Sequence, residues 1–520
     1  MASPSTTTIT DNLNSLSADE ERLEFKRLQQ SFGRQFEKFF PDKLAAKTVV
    51  IIPSLSLDTE ILKTVEGVNF YEERLLCLLM LLRMPRTQVI YVTSMPIDPV
   101  IIDYYLHLLP GITTYHARQR LTLLSCYDSS GLPLTDKLLS RPRMLQRIKE
   151  HIAVKEQTHM ACFNVTASER KLAVVLGVPI FGCDPDLEEL GNKSNGRKLF
   201  RSAGIPLPPG YEDLHSREEV VEALVKLKEQ VPEIRKAVVK LNEGFSGDGN
   251  AVFSYADLLH DGDFSASVNA QLNGRLEVVA GDLTPEHFLE KMLTMGGVVE
   301  AFVDGDMKTS PSAQCRVTPL GEVEILSTHD QMLGGSSGQV YLGAKFPADK
   351  AYAAAIGSMG KKIGEELCAS GVLGRFAIDF ISVKKGEDWL HYAIEINLRK
   401  GGTTHPYLML EFLTNGIYRE ENGQYYTASG QPRHYVCSDN VKNEAYKGLT
   451  PHDLIDIAMC DDLLYDSASQ EGVVFHLISA LSQFGKLGVL CIGATPERAE
   501  AYYRKTVEAL DREVRADRGV

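Results

Sequence analysis

From Lys47 onward, short apolar runs alternate with stretches in which apolar residues recur at helical spacing. TVVIIPSL, QVIYVTSM, RLTLLSCYD, HMACFNVT and VPIFGCD read as strands, being short, rich in β-branched or aromatic residues and bounded by turn formers. Residues 71–83, 99–109, 135–152 and 168–176 read as helices between them. Such alternation predicts a parallel sheet covered by helices, an α/β layer architecture. Ahead of it, a polar Ser/Thr-rich start of about 20 residues is expected to be disordered, and residues 20–40 carry a charged helical pattern. A second region begins near Leu190 and a third near Glu420. The third closes with GVVFHLISALSQFGKLGVLCIG, expected to form an apolar helix and then a strand, followed by a long amphipathic helix over 496–514. There are no internal repeats.

The most informative pattern is a pair of apolar runs, GRFAIDFISV and WLHYAIEINL, around the turn Lys384-Lys-Gly-Glu-Asp388. Two such runs predict a hairpin. Alternate strand residues share a face, so Ala393, Glu395 and Asn397 are expected on one side and Ile394, Ile396 and Leu398 in a core. Pairing about Glu387 would set Asp379 opposite Glu395, with Asn397 and Arg399 beside them. Two carboxylates and an amide oxygen form a hard donor set of the kind that holds Mg²⁺ together with substrate phosphates. An exposed polar sheet face accounts for the same residues equally well when they are taken alone.

Composition narrows the choice. The chain has 520 residues, enough for about three domains. Its 55 basic and 69 acidic residues give a net charge of −14, and no basic stripe marks a nucleic-acid surface. The nine cysteines are scattered without CxxC or Cys/His spacing, which argues against a zinc site or a disulfide framework. The start lacks a basic segment followed by an apolar one, so no secretory signal is expected. The most apolar stretch, 75–84, contains Arg83 and is too short to span a bilayer. A cytoplasmic protein without a membrane partner is the expectation.

Further constellations lie upstream of the hairpin. Lys240 ends a β-branched strand and precedes a loop with glycines at 244, 247 and 249, where backbone N–H groups can approach a phosphate. A plain hairpin turn is the ordinary reading of such a loop. The segment 191–206, with Lys193, Arg197 and Arg201, reads as a basic helix opening: an anion site or a solvated face. Glu300 lies on a strand that runs into Asp304-Gly-Asp306. Ser312, Gln314 and Arg316 share a strand face, and Gln331–Gln339 is a Gly/Ser-rich loop, a lid or a simple connection.

In this order, a basic helix, a lysine strand with a glycine loop, a glutamate-bearing hinge strand and D…ExNxR resemble the ATP-grasp superfamily. More narrowly, IIPSLSLD, YEERLLCLLMLLR, SPSAQ, STHDQ, GQVYLGAKFPA and EINLRKGGTTHP make the chain similar to the pheganomycin-type peptide ligases, over roughly residues 45–410. The resemblance implies a Rossmann-like pre-ATP-grasp domain (45–188), an α+β ATP-grasp fold (189–415) and a small α+β C-terminal domain (416–520), after a polar tail and helix (1–44). It implies ATP and Mg²⁺, with Mn²⁺ as a substitute. Lys193, Lys240, Gly244, Ser246, Gly247 and Gly249 would meet the phosphates. Glu300, Phe302 and Val303 would meet adenine, and Asp304 or Asp306 the ribose. Asp379, Glu395 and Asn397 would hold the metal, while Arg399, Lys240 and Arg375 would act in catalysis. Gln314, Arg316, Gly401, Gly402, Thr403 and His405 would face the substrate. One departure is that Lys240 precedes Leu241-Asn242, where the wider superfamily often has proline.

The implied activity is amide-bond formation between small-molecule carboxylate and amine substrates through an acylphosphate. The rivals are a ligase using ammonia or another small amine, and an ATP-binding regulatory protein that does not turn over. A homodimer is the common default for such an enzyme.

Overall fold

The computed structural model describes residues 16–57, 62, 65–244, 249–258, 263–279, 283–305, 307–334 and 340–517. Ser17 caps the first helix, Ala18–Phe39, in a capping box with Glu20, and the helix buries Phe25 and Phe32. Next comes a parallel sheet in the order β3-β2-β1-β4, made of β1 (Lys47–Ile52), β2 (Thr87–Thr93), β3 (Leu121–Ser125) and β4 (Thr158–Cys162). Every residue of β1 and β4 is buried, as expected for parallel strands covered on both faces. The fifth expected strand, VPIFGCD, contributes only the bridge between Met160 and Ile180. The helix expected over 135–152 is two, Leu134–Leu139 and Pro142–His151, because Pro142 cannot continue the first and opens the second.

The middle of the chain builds an antiparallel sheet ordered β5-β9-β6-β7-β8: β5 (Gly210–Leu214), β6 (Lys236–Leu241), β7 (Asn250–Ser254), β8 (Leu276–Val278) and β9 (Gly297–Ala301). It has its own core, in which Val239, Phe253, Leu272 and Phe288 are fully buried. A nine-stranded sheet follows. It comprises β10 (Lys308–Thr309), β11 (Pro311–Val317), β12 (Val323–Gly334), β13 (Val340–Phe346), β14 (Gly374–Lys385) and β15 (Asp388–Asn397). After the hairpin of β16 (Ile417–Arg419) and β17 (Gln424–Tyr426), the strands β18 (His434–Lys442), β19 (Gly472–His476) and β20 (Lys486–Gly493) extend this same sheet beyond β13. GVVFH, expected in a helix, is therefore strand β19; its continuous burial hides the period that separates strand from helix.

One face of the large sheet is covered by the helix Ala353–Ala369. A Cβ on Gly364 would stand 2.6 Å from Val323 Cγ1, so glycine is what allows this close approach. Over the other face, the helix Thr404–Thr414 packs on Val68–Arg83, a long stretch wound in the tighter 3₁₀ form, and sets Tyr407 against Phe346 at 5.7 Å. This second face carries the candidate site. Among the described residues no helix is long and apolar enough to cross a membrane.

Candidate active site

The β14–β15 hairpin turns at Gly386-Glu387, where Gly386 takes φ +64°, and sets Asp379 opposite Glu395. That pairing depends on a bulge. From the turn to Phe380 the register pairs Phe380 with Ala393, and one step later it pairs Asp379 with Glu395, leaving Ile394 as the extra residue. A bulge reverses the alternation of the residues beyond it. Ala393 therefore faces the core with Ile396, contrary to the alternation expected from sequence, while Glu395 and Asn397 stand on the face of Asp379.

Asp379 accepts from Gln331 Nε2 at 2.7 Å and Asn397 Nδ2 at 3.1 Å, and Ser312 also bonds it. Burial, then the neighbouring Glu395 charge, push its carboxyl up to about 6. Burial would raise Glu395 too, but Lys193, bonded at 3.0 Å, with Lys240 and Arg399 outweighs it and holds that carboxyl below its ordinary value. Two close carboxylates, one destabilised by the other, with an amide oxygen beside them, fit a hard dication.

The two lysines arrive from separate elements. The helix Lys193–Ser202 starts at Asn192, whose side chain accepts from Asn195 N. Asn242, the residue at the departure noted above, ties this helix start to the end of β6. Its Oδ1 accepts from Ser194 N at 3.0 Å and Ser194 Oγ at 2.7 Å, and its Nδ2 donates to Met295 O at 3.1 Å. Lys240, on β6, pairs with Glu300 of β9 at 2.6 Å. Arg197, 3% exposed, grips the other oxygen of Glu300 at 2.5 Å. Burial would raise the Glu300 carboxyl, but these two cations hold it below its ordinary value.

Gly244 and Gly249 close the neck of the glycine loop: a Cβ on Gly244 would stand 3.1 Å from Gly249 Cα. Ser246 and Gly247 lie outside the described residues, as does Asp306. In the hinge after Glu300, Phe302 N–H donates to Lys236 O at 3.1 Å, and Lys308 Nζ sits 4.5 Å over the Phe302 ring. Val303 O accepts from Lys308, and Asp304 is exposed.

Of the residues expected at the substrate, Gln314 is buried on the face of Asp379, and Arg316 on that face pairs with Glu324 at 2.5 Å. Arg375 stands opposite Arg316, four residues from Asp379 and so apart from the Asp379–Glu395 pair. Gly401 N bonds Thr404 Oγ1 at 2.9 Å, Thr403 precedes the helix Thr404–Thr414, and a Cβ on Gly402 would meet the Tyr341 ring at 2.7 Å. His405 meets Asp439 and His476. Its Nε2 lies 3.4 Å from Asp439 Oδ1, which also accepts from His476 Nε2 at 2.6 Å, while Asp439 Oδ2 pairs with Arg74 at 2.5 Å. Burial and His476 push the His405 imidazole down to about 4, so it is neutral at pH 7.

Sequence reasoning placed Arg197 only in a basic helix opening, not against Glu300, and gave no role to Arg74, Asp439, His476 or Lys400. Arg197 had a signal, its place one helical turn after Lys193. The others are brought in by distant segments, and no local spacing announces them.

A dication-type donor set on a hairpin, with two lysines from a helix start and an adjoining sheet converging on it, is the arrangement of an ATP-grasp protein. The comparisons agree: residues 185–275 and 283–418 match the family model described as "IQCH-like, ATP-grasp", and 453–506 match the "PGM1 C-terminal domain". The chain is 30% identical over 466 residues to the L-propargylglycine–L-glutamate ligase of Streptantibioticus cattleyicolor, covering 88% of this chain and 92% of that one. It belongs to the pheganomycin-type group of ATP-grasp carboxylate–amine ligases, and is an enzyme of the carbon–nitrogen ligase class. It is also 27% identical over 414 residues to the IQ motif-containing protein H of Danio rerio, of which it spans 39%. Among solved structures, the biotin carboxylase domain dimer of the Hydrogenobacter thermophilus 2-oxoglutarate carboxylase, bound to MgADP, ADP and bicarbonate, superposes with a TM-score of 0.53. That match has 13% identity over 89% of each chain and is a likeness of fold alone.

Proposed function

We propose that this enzyme joins the carboxylate of one amino acid or small peptide to the amine of another, releasing ADP and phosphate. The observation that carries the reading is the convergence of Lys193, Lys240 and Arg399 on the Asp379/Glu395 pair. Asp379, Glu395 and Asn397 would hold Mg²⁺, which when bound neutralises charge on the phosphate oxygens. Lys193 and Lys240, each held by a carboxylate, exchange that partner for phosphate oxygens when ATP enters. Glu300 and the backbone at Phe302 and Val303 seat the adenine.

A substrate carboxylate oxygen attacks the γ-phosphorus, and the bond to ADP breaks. The amine nitrogen then attacks the acyl carbon and loses a proton, and phosphate leaves with the electrons of the carbon–oxygen bond. Such transfers need positioning and charge neutralisation rather than a protein nucleophile. Arg399, electrostatically coupled to both metal-binding carboxylates, steadies the reacting carboxylate. The name of the bacterial relative pairs two amino acids, which supports amino acids on both sides of the bond and makes L-glutamate the first candidate.

The test is ADP release over pairs of amino acids and dipeptides, with ammonium as a separate arm and product masses read by mass spectrometry. A product heavier by the second amino acid is expected, and Glu395→Ala and Lys240→Ala are expected to abolish ADP release. Full activity in both variants would refute the site. Products formed with ammonium alone would refute the amino-acid acceptor.

A further inference from the structure

Between the metal-binding carboxylates and Arg375 the sheet presents a small, polar floor. Asp379, Ala377 and Arg375 share one face of β14, and four residues at about 3.3 Å each separate the ends by ~13 Å. Ala377 lies opposite Gln314, which lies opposite Ser327. The Ser327 hydroxyl and, one row nearer the metal end, His329 Nδ1 are fully buried and have no hydrogen-bond partner. Buried polar atoms are nearly always paired, so these two mark a place for a polar occupant.

At the far end of the floor, cations gather. Arg316 has Glu324. Arg375 makes no ion pair among the described residues; burial and Arg316 push it down to about 10, with Glu411 acting only at longer range. Lys400 donates to the Cys162 carbonyl, and burial together with Arg375 pushes its ammonium down to about 8. Two half-buried cations, Arg375 depressed beside Arg316 and Lys400 depressed beside Arg375, in a chain of net charge −14, are costly to keep without a counter-charge. Next to Lys400, a Cβ on Gly401 would meet no atom within 4 Å, so the segment borders open space.

We propose that Arg375 and Lys400 bind a second, non-reacting carboxylate of an amino-acid substrate, whose other end reacts beside Asp379 and Glu395. The assignment rests on the ligase reading above and narrows its substrate class to a molecule with an anionic far end. The separation, shortened by the reach of the arginine side chain, suits a substrate of glutamate to dipeptide size. The carboxylate belongs to the acyl donor or to the amine acceptor, and the experiment separates them.

The probes are L-glutamate, L-glutamine and L-isoglutamine, titrated calorimetrically into the enzyme loaded with Mg²⁺ and a non-hydrolysable ATP analogue. Wild type is expected to bind L-glutamate. Arg375→Gln and Lys400→Met are each expected to weaken that binding roughly 10- to 100-fold, the loss for a charge-assisted hydrogen bond, with nucleotide affinity within twofold of wild type. The amide that lacks the pocket-facing charge should bind weakly to wild type and lose nothing further in Arg375→Gln. ADP release with L-glutamate alone assigns the carboxylate to the acyl donor, and release only with a second amino acid assigns it to the acceptor. Unchanged glutamate affinity in both variants overturns the proposal, as does no glutamate binding in a wild type that turns over uncharged pairs. Intact, Arg375-dependent binding with no ADP release from any pair would overturn the ligase reading instead.

Discussion

Arg197→Met probes the least expected part of the proposed nucleotide site. Arg197 donates to Glu300 at 2.5 Å, to Pro208 O at 3.0 Å and to Glu212 at 3.1 Å, with 3% of its surface exposed. Methionine fills much of the volume but strands half of a buried carboxylate. Breaking a buried pair costs about 3–5 kcal/mol. Lys240 stays on the other oxygen of Glu300 at 2.6 Å, which places the expected loss near the low end, about 3 kcal/mol. For a unit of 150–250 residues that is a fall of roughly 6–12 °C in Tm. Urea titration followed by circular dichroism measures the loss directly. The double variant Arg197→Met/Glu300→Gln removes the stranded charge and leaves Lys240 an amide oxygen in place of the carboxylate, and is expected to recover part of the loss. A loss below about 1 kcal/mol, or a double variant no more stable than the single one, would refute the claim that Arg197 serves chiefly to neutralise Glu300.

Other outcomes follow from the same geometry. Asp379→Asn is expected to abolish ADP release without lowering Tm at pH 7.5. A carboxyl raised from 3.8 to about 6 in the folded state costs up to roughly 3 kcal/mol while ionised, and a lower Tm would contradict this. Deleting Ile394 straightens β15 but leaves Ala393, Glu395, Ile396 and Asn397 alternating regularly, with Glu395 still opposite Asp379, so a folded deletion variant should keep releasing ADP, and a folded but inactive one would show that the local twist of the bulge is needed as well as the pairing. Acid should destabilise the fold below pH 6.5. Burial pushes His159 and His329 down to about 3 and His405 to about 4, so these stay neutral in the folded protein while the unfolded chain takes up protons. Stability is full above pH 7 and falls from pH 6.5 down to about 4 for His405 and about 3 for His159 and His329, each histidine costing about 2 kcal/mol by pH 5. His159→Leu, at a position packed between Phe32 and Phe40, should reduce the loss between pH 7.5 and 5 by about that amount, as read by urea unfolding at both pH values.

What could be read from the chain was local. The turn and the two apolar runs were enough to predict the hairpin, but pairing from the observed turn at Gly386-Glu387 would set Asp379 opposite Ile394, and the expected centre at Glu387 meets Glu395 only because the bulge adds a residue. The bulge at Ile394 was not legible: an isoleucine satisfies either face, and only the finished sheet shows which one it left. Strand β19 was misread as helix for a related reason, since a segment buried on every side carries no period. The split at Pro142 was written in the sequence and passed over.

The nucleotide end and the substrate end differ in how far apart their parts lie in the chain. Lys193 and Arg197 are one helical turn apart, and Glu395 and Asn397 are two strand positions apart, so spacing alone reveals them. Arg74 and Asp439 meet across 365 positions, and Lys400 reaches Cys162 across 238. Each of these contacts joins the large sheet to elements of the first α/β unit, Val68–Arg83 or β4. The proposed metal donors and phosphate lysines, by contrast, sit on the two later sheets and the helix Lys193–Ser202. Substitutions in Val68–Arg83 or after β4 can therefore reshape the pocket around Arg375 and Lys400 while leaving the Asp379–Glu395 pairing and both lysines in place. Selectivity among amino acids is expected to change through those segments, with ATP affinity held constant.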